Sequence, residues 1–177
     1  MTRLKDLIDV FLQPGELFVG DASFRIRTIL GSCVSITLWH SQARVGGMTH
    51  FLLPTRSVAI SDQVLDGRYG DEALQWMLKD LRASGVDPKQ CQAKIFGGGN
   101  MFPEHTCASR MTVGQRNGEA ARQLLLDDGI QLVTEHLFGV GHRQIVFNVS
   151  NGDVWMRQVR PSQFEVAYEK AVEGYAS

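Results

Sequence analysis

Apolar residues recur along the chain at two periods, and the changes of period mark out the elements. Leu4, Leu7, Ile8 and Phe11 share one face at helical spacing, with Thr2 as a cap. This predicts a short amphipathic helix over 2–12, stopped by Pro14-Gly15. The pattern then turns β-like. Leu17–Val19 is a short strand, and Phe24-Arg25-Ile26-Arg27 alternates at period two, as a half-buried strand does. Gly31-Ser32 interrupts, and Cys33–Trp39 resumes with β-branched residues. His40–Arg44 reads as a polar turn, and Val45–Leu53 as a further strand that Pro54 stops.

Residues 55–69 are polar and predict a loop. Between Asp71 and Ala83 the spacing of Ala73, Leu74, Met77, Leu78 and Leu81 is helical, with Gly85 as the stop. Ala93–Phe96 is a short buried strand broken by Gly97-Gly98-Gly99, and 97–112 reads as an ordered loop. A second helix is expected over Val113–Leu126, closed near Gly129, followed by a strand over Ile130–Leu137. Arg143–Val149 and Val154–Val159 form a hairpin across Asn151-Gly152. The tail after Pro161 reads as a short helix or a frayed end. Early strands lie too close together for helical crossovers, which disfavours a doubly wound sheet. The expectation is an α+β fold: one domain over 1–177, a layered α/β sandwich with a mixed, largely antiparallel sheet.

Composition narrows the function classes. A formal net charge of -1 gives no basic field for nucleic acid or an anionic membrane surface. No run approaches the roughly 20 apolar residues of a membrane span, and the start of the chain lacks the apolar block of a secretory signal. A cytoplasmic protein without direct membrane insertion is expected. Cys33, Cys91 and Cys107 are odd in number and form no CxxC pair, which disfavours a disulfide framework and a structural zinc site.

The chemistry concentrates in two segments, Thr28-Ile-Leu-Gly-Ser-Cys33 and Val45-Gly-Gly-Met-Thr-His50-Phe-Leu-Leu-Pro54. If the strands that follow Cys33 and Val45 form an antiparallel hairpin with its loop centred between Ser41 and Gln42, Cys33 and His50 are directly opposite. Opposed residues have Cβ atoms about 4.5–5.5 Å apart. The imidazole can then take the thiol proton or hold a thiolate as an ion pair. Gly31 and Ser32 allow a turn whose backbone N–H groups face a developing oxyanion. The Thr28 hydroxyl supplies an orienting group for the imidazole. Taken singly these residues say little: a cysteine beside a strand is ordinarily a small buried hydrophobe, and threonine is a common strand residue.

The other candidates carry weaker patterns. Gly97-Gly98-Gly99 lacks the Lys-Ser/Thr of a phosphate loop. It fits a wall beside a protein-substrate cleft, with Asn100, Met101 and Phe102 as substrate-binding candidates; the bland reading is a tight turn with Phe102 buried. His105 with Cys107 falls short of a zinc site. His136 and His142 read as solvated turn residues, and Cys91 and Cys107 as packing thiols.

The two segments resemble the signature blocks of the CheD family, the chemoreceptor glutamine deamidases. Lys94-Ile-Phe-Gly-Gly-Gly-Asn-Met-Phe102 is similar to that family's glycine-rich loop, and Gly114-Gln-Arg-Asn-Gly-Glu119 to the segment opening its second helix. The four blocks fall in order between about residues 15 and 160. The resemblance implies a protein-glutamine glutaminase with Cys33 as nucleophile, His50 as base and Thr28 as third member. It implies no cofactor and no metal. It also implies a layered sandwich similar to bacterial toxin deamidases such as cytotoxic necrotizing factor. Chemoreceptor cytoplasmic domains are the implied substrate, and a CheC-type phosphatase the implied regulator. The competing expectation is a regulatory binding module for such a phosphatase, with little essential catalysis.

Overall fold

The computed structural model describes residues 6–56 and 64–161. The expected loop over 55–69 lies partly, and the tail after Pro161 wholly, outside these residues. In chain order come β1 (Ile8–Phe11), β2 (Leu17–Gly20), β3 (Phe24–Leu30), β4 (Val34–His40) and β5 (Val45–Thr49). Then follow α1 (Gly70–Ala83), β6 (Gln92–Gly97), α2 (Val113–Asp127), β7 (Gln131–Leu137), β8 (His142–Asn148) and β9 (Val154–Val159). Among the described residues no helix is long and apolar enough to cross a membrane.

The strands make two mixed sheets. One has the order β1-β3-β8-β9, the other β2-β5-β4-β6-β7. The pairs β1–β3 and β6–β7 are parallel, and every other pair is antiparallel. Both helices pack on the five-stranded sheet. The result is three layers: four-stranded sheet, five-stranded sheet, helices. Alternation along each strand divides the core accordingly. Val34, Ile36 and Leu38 of β4 join Leu74, Met77 and Leu125 beneath the helices. Ile26 and Leu30 of β3, Met48 of β5, Phe96 of β6 and Phe147 of β8 fill the gap between the sheets.

Of the expected helix over 2–12, Thr2 and Leu4 lie outside the described residues, and the described part is corrected: Ile8–Phe11 is a strand, paired with Phe24–Arg27 of β3. The segment also satisfies period two, since Val10 and Leu12 turn inward to the inter-sheet core while Phe11 stays half exposed. An isolated helix of that length is marginal in water, and the open edge of β3 offers the segment a ladder of backbone partners along one side. The two expected helices are present. All five apolar positions of α1 named from spacing are buried. α2 is capped by Thr112, whose hydroxyl accepts from the Gln115 N–H while the Gln115 side chain returns to the Thr112 N–H.

Candidate active site

The β4–β5 hairpin is displaced by one loop position from the expected register. Thr37 faces Met48, His40 faces Val45, and beyond the regular strands Val34 faces Phe51. Direct opposition of Cys33 and His50 is therefore corrected. In this register His50 falls opposite Ser35, and Cys33 lies one residue past the last bonded pair. Cys33 and His50 remain on one face, diagonal to each other in that register. That face is the inward one: Met48, two residues before His50, lies in the inter-sheet core, and Cys33 packs against the same core.

Thr28 comes from the opposite sheet. It shares an inward face of β3 with Ile26 and Leu30, and its Oγ1 lies 2.8 Å from Nδ1 of His50. The same oxygen lies 2.9 Å from the Leu12 carbonyl, which can only accept. Both hydrogen bonds form together only when the hydroxyl gives its one proton to Leu12 and accepts from His50, an arrangement that puts the ring hydrogen on Nδ1 and leaves Nε2 its lone pair. The Leu12 carbonyl also acts directly on the ring, favouring its protonated form. The His50 backbone is clasped too, donating to Glu16 at 3.0 Å and accepting from Gly15 at 2.7 Å. Thus residues 12–16 fix the imidazole from the side opposite Cys33's strand.

Burial dominates the electrostatics. His50 is 2% exposed, and desolvation lowers its pKa to about 4 against the smaller opposing pulls of the Leu12 carbonyl and Glu16. Burial likewise raises the Cys33 thiol, opposed by its own backbone N–H. Both shifts favour uncharged forms. At neutral pH the resting pair is thiol plus imidazole, which suits general-base activation better than a standing ion pair.

The turn before Cys33 is held through its carbonyls. Gly99 N–H donates to Gly31 at 2.9 Å, Asn117 Nδ2 to Ser32 at 3.0 Å, and Gly98 N–H to Cys33 at 2.9 Å. Among the described residues no other residue accepts from the N–H groups of Ser32 and Cys33, and that of Cys33 leans on its own sulfur. They are two donors beside the sulfur. Gly97 makes this packing possible: its φ is +118°, and a Cβ there would lie 2.2 Å from the Cys33 carbonyl oxygen.

The three substrate-binding candidates separate. Met101 packs over the turn, close enough that a Cβ on Gly31 would meet its Sδ at 3.2 Å. Phe102 is 68% exposed, which overturns its bland reading as a buried residue. Asn100 is occupied within its own loop, bonded to Thr106 Oγ1 and the Phe102 N–H. Cys91 is buried and Cys107 exposed, so only Cys91 is a packing thiol. His136 and His142 lie on β7 and β8, not in a turn, and His136 Nδ1 accepts from buried Arg143 at 2.9 Å. Sequence reasoning missed the Leu12 carbonyl, which has no side-chain signature. It also missed Asn117, although a polar residue inside the inward stripe of a helix was a visible signal.

Comparison with known proteins gives a consistent answer. The family model described as CheD chemotactic sensory transduction matches residues 52–158. That match begins after Cys33 and His50. The chain is 62% identical over 161 residues to a protein of Albidiferax ferrireducens named probable chemoreceptor glutamine deamidase CheD 2, covering 91% of this chain and 93% of the relative. It is 46% identical over 151 residues to probable chemoreceptor glutamine deamidase CheD 3 of Dechloromonas aromatica, covering 85% and 88%. With probable chemoreceptor glutamine deamidase CheD 1 of Chromobacterium violaceum the identity is 42% over 158 residues, covering 89% and 81%.

Proposed function

The chain belongs to the CheD family, and on that premise we propose that it hydrolyses glutamine side chains of chemoreceptors to glutamate, with Cys33 as nucleophile and His50 as base. The observation that carries the roles is the hydrogen-bond chain from the Leu12 carbonyl through Thr28 to Nδ1 of His50. It leaves Nε2 as the basic nitrogen of a ring that shares a face with Cys33.

The reaction then runs in two acyl transfers. His50 Nε2 takes the Cys33 proton as Sγ attacks the carboxamide carbon. The N–H groups of Ser32 and Cys33 stabilise the oxyanion. The imidazolium returns its proton to the leaving nitrogen, and ammonia departs from the thioester. Water, deprotonated by His50, attacks the thioester carbon and releases glutamate and the thiol. Thr28 keeps the ring in the required tautomer throughout. Met101, over the turn, and the exposed Phe102 that follows it are the proposed contacts for the receptor segment, and Asn100 shapes their loop.

The reading places the reaction on receptor cytoplasmic domains, hence in the cytoplasm. A CheC-type phosphatase partner and a likeness to toxin deamidases enter on the family resemblance; the layered sandwich is compatible with the latter. The test is mass spectrometry of a receptor cytoplasmic fragment after incubation. Deamidation adds about one mass unit per site as nitrogen is exchanged for oxygen in acyl transfer to water. A cleaved fragment would indicate a peptidase, and an unchanged one a binding module; either result sinks the proposal.

A further inference from the structure

α2 turns one polar side chain into the core. Asn117 is fully buried, in the stripe formed by Gly114, Gly118, Ala121 and Leu125. Such a position ordinarily takes an apolar residue, because a buried amide is costly unless its groups are bonded. Asn117 spends both Nδ2 hydrogens, one on the Ser32 carbonyl at 3.0 Å and one on the Leu52 carbonyl at 2.8 Å. Ser32 directly precedes Cys33, and Leu52 lies two residues after His50.

The backbone around these carbonyls explains the need. Val34 and Phe51 exchange both of their hydrogen bonds, at 3.1 and 3.0 Å. In a continuing antiparallel ladder the next pair to do so would be Ser32 and Leu53. Instead the Leu53 N–H donates to the Arg68 carbonyl at 3.1 Å. The two segments part at the end that carries the thiol, and Asn117 takes up the carbonyl that Leu53 leaves. Of the three turn carbonyls, only that of Ser32 is held by a side chain; those of Gly31 and Cys33 are held by backbone N–H groups. Asn117 Oδ1 is itself buried without a partner. Beyond the stability that pairing two carbonyls contributes, the side chain ties two segments together at a fixed distance.

We propose that Asn117 is a positioning residue that clamps the Ser32–Cys33 turn to the segment carrying His50 and so sets the approach of thiol and imidazole. The inference rests on the assignment of Cys33 and His50 above.

The experiment compares Asn117→Ala, Asn117→Asp and Asn117→Gln with Leu125→Ala, which loosens the packing of the same helix without touching the turn. Folding is followed by circular dichroism. The readouts are kcat and KM for ammonia release from a receptor fragment, and the rate of Cys33 alkylation by iodoacetamide at neutral pH. Peptide mapping separates Cys33 from exposed Cys107. The folded Asn117 variants should lose at least about tenfold in kcat, with KM changed by less than about twofold, because small misplacements cost rate more than binding. Their Cys33 alkylation should fall to the level of His50→Ala, while Leu125→Ala keeps both native values per folded molecule. A folded Asn117 variant with native kcat and native alkylation overturns the clamp. So does an equal loss in Leu125→Ala, or failure of all three Asn117 variants to fold beside a folded Leu125→Ala, since each makes Asn117 a matter of stability. If the unaltered protein releases no ammonia, the functional reading fails, and alkylation still tests the clamp.

Discussion

The hydrogen on Nδ1 of His50 is the smallest feature on which the proposed chemistry depends. Because burial lowers the ring's pKa to about 4, the basic form persists as pH falls below the usual histidine value and is lost only near that figure. kcat/KM should therefore hold level from neutral pH to about pH 5 and then drop, a profile measurable by ammonia release. An acid limb centred on an ordinary histidine value would mean that His50 is not the titrating base. His50→Ala should cut kcat by about a hundredfold or more and leave KM nearly unchanged. Thr28→Val, which keeps shape and removes the acceptor, should cost less, because the Leu12 carbonyl still faces the ring. If Thr28→Val proved as severe as His50→Ala, the hydroxyl would have to act in the chemistry itself. At this scale the three side chains were legible in the sequence, since Cys, His and Thr carry their chemistry in their identity. The main-chain carbonyl of Leu12 was not, because any residue would supply it.

Among the elements, the glycine-rich loop shows how backbone conformation reaches the site. Gly97→Ala forces a left-handed φ on a residue with a Cβ and drives that Cβ into the Cys33 carbonyl. It should destabilise the fold by more than about 1 kcal/mol and lower activity further than the unfolded fraction accounts for. Denaturant unfolding paired with kinetics checks both, and a stable, active Gly97→Ala would remove the loop from any supporting role. Elements with strong periodicity were readable: α1 buries the five positions its spacing named. The N-terminal segment was misread because its apolar residues satisfy both periods, and the choice lies with β3, far along the chain. The hairpin register was off by one loop position because the four residues between the strands, Ser41 to Arg44, do not say where the turn closes. That shift turned a facing pair into a diagonal one without moving either residue to the other face, since the displacement preserves the parity that decides sides.

Across the whole molecule, the site is a product of layering. Cys33 and His50 line the inner face of one sheet, Thr28 the inner face of the other, and α2 reaches in from the third layer through Asn117. The sequence announced a layered α+β fold but not two separate sheets, because alternation tells which residues face inward and not which strands share a sheet. That division is what brings Thr28 onto His50. The central claim, that Cys33 forms a thioester with a receptor glutamine, is tested most directly by trapping it. The protein is mixed with a receptor cytoplasmic fragment, quenched in acid within a turnover, digested and mapped by mass spectrometry. The account predicts a cross-linked peptide pair joining Cys33 to a receptor glutamine, with the mass of the two peptides less ammonia, and neither adduct nor turnover in Cys33→Ala. An adduct on Cys91 or Cys107, or deamidation that persists in Cys33→Ala, would contradict it.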